Sequence, residues 1–174
     1  KQAKTYEYRI DNDKRFIISI LSKKPFHLGW FLSQFTHLDL VSMDIFKLFD
    51  DAKLFRMQFD GTLEKEMLEH LSAMIEAAFD MDRKVSFKKP ILHKKEISFD
   101  CDHSLTYALM QIKTKNQKGL MAMVIEIFDQ FKIDIATAKI NTVKNTARDT
   151  FLIEKSEPFC DNREKIVDLL VKHD

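Results

Sequence analysis

Glycine and proline are scarce in this chain, with three of each in 174 residues. Three glycines cannot furnish a phosphate-cradling P-loop or a Gly-x-Gly-x-x-Gly turn, and neither pattern occurs; Gly-x-Ser-x-Gly is missing as well. Neither charge is in excess. Lys and Arg number 28 against 27 Asp and Glu, a formal +1, so the concentrated cationic face that nucleic acid requires is lacking. No apolar run approaches the ~20 residues that span a bilayer, and no signal peptide opens the chain. Cysteine is down to Cys101 and Cys160, far apart and without Cys-x-x-Cys spacing. They read as free thiols in a reducing cytoplasm.

The chemistry of an active site is equally thin. His27, His37, His70, His93, His103 and His173 include no pair at the i, i+4 spacing of a helical metal site, so solvated or capping roles account for them and no metal is expected. Asp50-Asp51 reads as a turn. A cysteine nucleophile would need a base, and the sequence places none. Neither catalysis nor a cofactor is expected of this segment. A start at Lys1 rather than methionine reads as a piece excised from a longer protein.

What the chain does have is apolar bulk and internal repetition. Hydrophobic residues make up 45% and include 15 phenylalanines, enough to fill packed cores. Alternation followed by an Asp/Asn/Ser turn signals a hairpin, and it occurs twice. Tyr6 to Ile10 leads through Asp11-Asn12-Asp13 into Phe16 to Leu21, and Glu96 to Cys101 leads through Asp102-His103-Ser104 into Leu105 to Ile112. A helix follows each. Leu28, Phe31, Leu32 and Phe35 share one face after Pro25; Leu120, Met123, Val124, Ile127, Phe128 and Phe131 share the other. Gly29 within the first helix either permits a close contact or is only tolerated, at about 1 kcal/mol against alanine.

Two strands and a closing helix complete each half. The strands are Leu40 to Phe49 with Leu54 to Phe59, and Asp134 to Val143 with Arg148 to Glu154. Leu68, Leu71, Ile75 and Phe79 mark the first closing helix; Ile166, Leu169 and Leu170 mark the second. A short strand at Val85-Ser86-Phe87 is expected to finish the first half, and the basic, proline-bearing stretch Lys84 to Lys95 to join the halves. The order predicts an α+β protein: two ferredoxin-like βαββαβ sandwiches, residues 1–90 and 91–174, each an antiparallel sheet with helices on one face. The bare face calls for a partner, within the chain or in a homo-oligomer.

The polar loop Thr114 to Gly119 opens the most regular helix. A glycine there lets a ligand approach the backbone, and first-turn N–H groups favour a carboxylate. A side-chain oxygen of Asn116 or Asp134 could receive an ammonium, which together describes a free amino acid. The same residues also make an ordinary helix start with Asn116 near the N-cap.

Lys118-Gly119-Leu120, Ile133-Asp134-Ile135, Ala138-Lys139-Ile140-Asn141-Thr142 and Asp149-Thr150-Phe151 together resemble an ACT domain. The likeness is to the tandem ACT repeats that end a family of nitrogen-regulatory uridylyltransferases, downstream of nucleotidyltransferase and His-Asp phosphohydrolase domains. It implies allosteric sensing of an amino acid, glutamine first, in control of those upstream catalytic domains and, through them, of the PII protein. It implies ligand contacts at Asn116, Gln117, Lys118, Gly119, Leu120 and Asp134, and a weaker, degenerate site at Lys24 and Pro25. Two alternatives stand beside it. One is a ligand-free dimerisation or interaction module; the other is an RNA-binding domain of the same topology, for which Tyr107 alone is a poor aromatic platform.

Overall fold

The computed structural model describes residues 5–86, 88–155 and 158–171. The first half runs β1 (Tyr6–Asp11), β2 (Phe16–Ser22), α1 (Leu28–Ser33), β3 (Asp39–Lys47), β4 (Lys53–Asp60) and α2 (Lys65–Ala77). The second repeats the order as β5 (Ile97–Asp100), β6 (Tyr107–Lys115), α3 (Leu120–Gln130), β7 (Ile135–Val143), β8 (Thr146–Glu154) and α4 (Arg163–Leu170). The eight strands form one antiparallel sheet in the order β1-β2-β4-β3-β7-β8-β6-β5. Two ferredoxin-like sets of four therefore meet edge to edge, in an α+β architecture. The edge strand of each set comes first in the chain, as β1 and β5, rather than last. Val85 and Ser86 form no strand, and Phe87 of that expected strand lies outside the described residues.

The seam is the pairing of β3 with β7, Ser42 to Phe46 against Asn141 to Thr137. Because the pairing is antiparallel, the two halves are related by a local two-fold. Met43 opposes Ile140 and Ile45 opposes Ala138. Both strands carry an irregularity at the matching place, between Leu40 and Ser42 and between Ile135 and Thr137. Strand alternation puts Phe16, Ile18 and Ile20 of β2 inward at no exposure. One inward row crosses the sheet as Ile18, Met57, Met43, Ile140, Asp149 and Ile112. Five of these are apolar; Asp149 is the exception.

Helix α3 is the centre of the opposite layer. Its apolar residues are not confined to a stripe: Met121, Ala122 and Ile125 are buried along with the sheet-facing Leu120, Val124, Ile127 and Phe128. A helix apolar nearly all round must be covered on several sides. Here α1 packs at the residues where Gly29 comes close, since a Cβ there would sit 3.5 Å from Ile125 Cγ2 and 3.7 Å from the Ala122 carbonyl. His27 starts α1 in place of a Ser or Asp cap: its Nδ1 accepts from the Trp30 N–H (3.3 Å), and its Nε2–H donates to the Arg83 carbonyl (2.8 Å). Phenylalanines fill the rest, with Phe26, Phe31, Phe35 and Phe59 in one ring cluster and Phe99, Phe128, Phe151 and Phe159 in the other. Full burial of each such side chain is worth roughly 1.5–3 kcal/mol.

Cys101 and Cys160 are not free thiols. They form a disulfide with a Cα–Cα distance of 6.1 Å, joining the end of edge strand β5 to the 3-10 turn that begins α4. The pairing links residues 59 apart in sequence, so no local motif announces it. No helix among the described residues is long and apolar enough to cross a membrane.

Candidate functional site

The local two-fold generates two cavities, one at each end of the seam. The first, about 60 Å³, lies beneath the loop Asn116 to Gly119. Its floor is the inward face of β7 and β8 at Ile140, Thr142, Ala147 and Asp149, and its far wall is the turn from α1 into β3, at Leu38, Asp39 and Leu40. The second cavity, about 360 Å³, is its counterpart: the loop is Ser22 to Phe26, and the far wall is the turn from α3 into β7, at Ile133, Asp134 and Ile135.

This arrangement sorts the residues singled out in the sequence. Asn116, Gln117, Lys118, Gly119 and Leu120 line the first cavity together; Asp134 lines the second, with Lys24 and Pro25. Asp134 therefore does not face the 116–120 loop of its own half. Antiparallel pairing carries the start of β7 toward the loop of the first half, and the start of β3 toward the loop of the second. Asp39 is the acid that faces Gly119.

The helix start also differs from expectation. Gly119, not Asn116, is the N-cap of α3, in the left-handed region at φ 81°, and no side chain caps the helix. Glycine is the residue that adopts this conformation without steric cost. First-turn N–H groups of Met121 and Ala122, both at the cavity wall, are left without intrahelical partners by helix geometry. Asn116 instead anchors the loop through its backbone, its N–H donating to the Asn145 carbonyl at 2.8 Å. Gln117 is committed elsewhere: its Nε2 donates to the Ile91 carbonyl (2.7 Å) and its Oε1 accepts from the Ile91 N–H (2.9 Å).

Asp149 was not singled out as a site residue, yet it is the most unusual polar group of the cavity. It is 2% exposed, and its Oδ1 has no hydrogen-bond partner. Burial alone pushes its carboxyl up to about 7. The signal was present in the strand pattern, since Ala147, Asp149, Phe151 and Ile153 alternate on the inward side of β8. The second cavity is lined by Asp51, Asp129 and Asp134; burial pushes the Asp129 carboxyl up to about 6, while Asp134 is neutralised internally. Asp134 accepts from Lys53, and Lys47 Nζ lies 3.6 Å from its other oxygen. Among the described residues no three His, Cys, Asp or Glu side chains gather as metal ligands.

The fold and cavities define a class: tandem ferredoxin-like units joined through one sheet, with a polar loop at a helix start on each side of the seam. No family model matches the chain. It is similar to part of a much longer enzyme: over 110 residues, 62% of this chain, it is 26% identical to the bifunctional uridylyltransferase/uridylyl-removing enzyme of Pasteurella multocida (strain Pm70). Over 61 residues, 35% of this chain, it is 31% identical to the enzyme of the same name from Nitrosospira multiformis (strain ATCC 25196 / NCIMB 11849 / C 71). The matched stretches span 12% and 7% of those relatives.

Proposed function

We propose that this chain is an amino-acid-sensing regulatory region, with glutamine as the first candidate ligand, attached to the catalytic domains of a uridylyltransferase acting on PII protein. The observation that carries the reading is the cavity under Gly119. An uncapped helix start offers N–H groups to a carboxylate, and Asp39 and Asp149 offer oxygens to an ammonium within the same small space. Sensing follows by linkage, because a ligand that touches both halves stabilises one seam geometry over others. Calorimetric titration with the twenty amino acids tests it. Saturable glutamine binding supports the sensor; flat titrations at protein concentrations adequate for millimolar affinity overturn it.

A second reading, a ligand-free interaction module, has its own observation. The face of the sheet opposite the helices carries an apolar row, Leu21, Leu54, Phe46, Leu152 and Leu109, interrupted only by Thr137. Phe46 is 42% exposed there. If that row is an association surface, Phe46→Asp lowers the mass seen in sedimentation equilibrium; an unchanged mass counts against it.

A further inference from the structure

The two cavities are related by symmetry but not in charge. Phe55 pairs with Ile20 and Ile45 in the first half, as Asp149 pairs with Ile112 and Ile140 in the second. The inward position occupied by a phenylalanine on one side is a carboxylate on the other. Lys53 and Lys47 occupy the places that Ala147 and Thr142 hold across the two-fold, so the pair of ammonium groups on Asp134 has no equivalent near Asp39. Among the described residues no basic side chain pairs with Asp39 or Asp149. The second cavity has acids of its own, Asp51, Asp129 and Asp134, but it carries Phe55 at the position of Asp149 and places two of the chain's lysines on Asp134. The cavity under Gly119 instead holds a buried carboxylate with an unpartnered oxygen and no lysine on it.

We propose that Asp149 is the ammonium receptor of a single ligand site in this chain, the cavity under Gly119, and that the matching cavity of the first half, though larger, takes no such ligand because Lys53 already supplies the ammonium there, on Asp134. The inference rests on the sensor reading for the identity of the ligand, but not for the chemistry of the site. An isolated carboxylate inside an apolar wall is costly unless paired, and a ligand cation restores the pairing. The helix start opposite takes the anionic end, so the class of ligand is a small zwitterion with a primary ammonium.

The site is then coupled to protons. An ammonium ligand binds the ionised carboxylate, so binding below neutral pH expels a proton from Asp149. The other charged groups at the cavity are Asp39 at the start of β3 and Lys118 in the loop. The flanking strands present Ile112 and Ile140, and the first turn of α3 carries no acid.

The test is calorimetry of the chain with L-glutamine and with its deaminated analogue 4-carbamoylbutanoate, together with carboxyl 13C NMR of Asp149 in the presence of glutamine or ethylammonium chloride. The proposal expects one equivalent of glutamine, at least tenfold weaker binding in Asp149→Asn, and analogue binding that the substitution leaves unchanged. It expects glutamine affinity to drop between pH 8 and pH 6 in the parent and to stay level in the variant. Ala147→Lys, which copies Lys53 into the cavity, is expected to abolish glutamine binding with the circular dichroism spectrum retained. Two equivalents, or Asp149→Asn binding as tightly as the parent, overturns the proposal while the sensor reading stands. If glutamine does not bind but ethylammonium shifts the Asp149 resonance, the glutamine reading falls and the receptor stands. If neither perturbs Asp149, the receptor is overturned.

Discussion

Gln117 and Ile91 hold each other by two hydrogen bonds, the side-chain amide of one meeting both backbone groups of the other. The ligand-facing loop is thereby fastened to the segment that joins the halves. Gln117 lines the cavity through its position, but its donor and acceptor are already used.

Gln117→Glu keeps the acceptor and removes the donor, leaving a carboxylate against the Ile91 carbonyl. A net loss of about 1 kcal/mol is expected for one such bond. Amide exchange at Ile91 is expected to speed up about fivefold under native conditions. Unchanged exchange would mean the clasp does not order the linker.

Gly119→Val forces a β-branched residue to φ 81°, in a region that costs L-residues roughly 1–2 kcal/mol. The burden is conformational, and the fold is expected to survive with a lowered melting temperature. The helix start shifts, and response to glutamine is expected to disappear. Retained affinity in that variant would remove the loop from the site.

Asp149→Asn addresses stability against pH. The folded carboxyl titrates near 7 against 3.8 for a free one, so its contribution is most favourable below pH 4 and is lost as pH rises through 7. The parent is expected to become less stable between pH 4 and pH 8 on this account, by about 4 kcal/mol at 1.36 kcal/mol per pKa unit. The asparagine variant is expected to lack that slope. Urea denaturation at pH 5 and pH 8 measures both, and parallel profiles would show that Asp149 is not the titrating group.

Reduction of Cys101–Cys160 releases a link between residues 59 apart. Loop-closure entropy puts the stabilisation at about 4 kcal/mol. With dithiothreitol, or in the double variant Cys101→Ser, Cys160→Ser, the urea midpoint is expected to fall while the sheet signal in circular dichroism persists. Two reactive thiols in the native, unreduced chain would contradict the bond.

The elements themselves were legible because local pattern dictates them. The run Phe16 to Leu21 bounded by a turn, and the apolar residues from Leu120 to Phe131, specify a strand and a helix without reference to the rest of the chain. The resemblance in the second half, from Lys118 to Ile153, agrees with the similarity to the uridylyltransferase relatives. What could not be read depends on distant residues meeting. Asp134 lies across the seam from the 116–120 loop because its neighbours are decided by β3 pairing with β7, ninety-odd residues apart in sequence. The Cys101–Cys160 bond is hidden from local pattern for the same reason. Asp149 sat in plain view within an alternating strand, but its acidity hides among surface carboxylates until the inward side of β8 is known.

The exchange of walls across the seam makes neither cavity the property of one half. Asp39 closes the cavity of the loop at Gly119, and Asp134 closes that of the loop at Pro25. A chain severed between Lys84 and Lys94 would yield two fragments, each with an open socket and the missing piece of the other's. Only the pairing of β3 with β7 completes both sockets, and it completes them together.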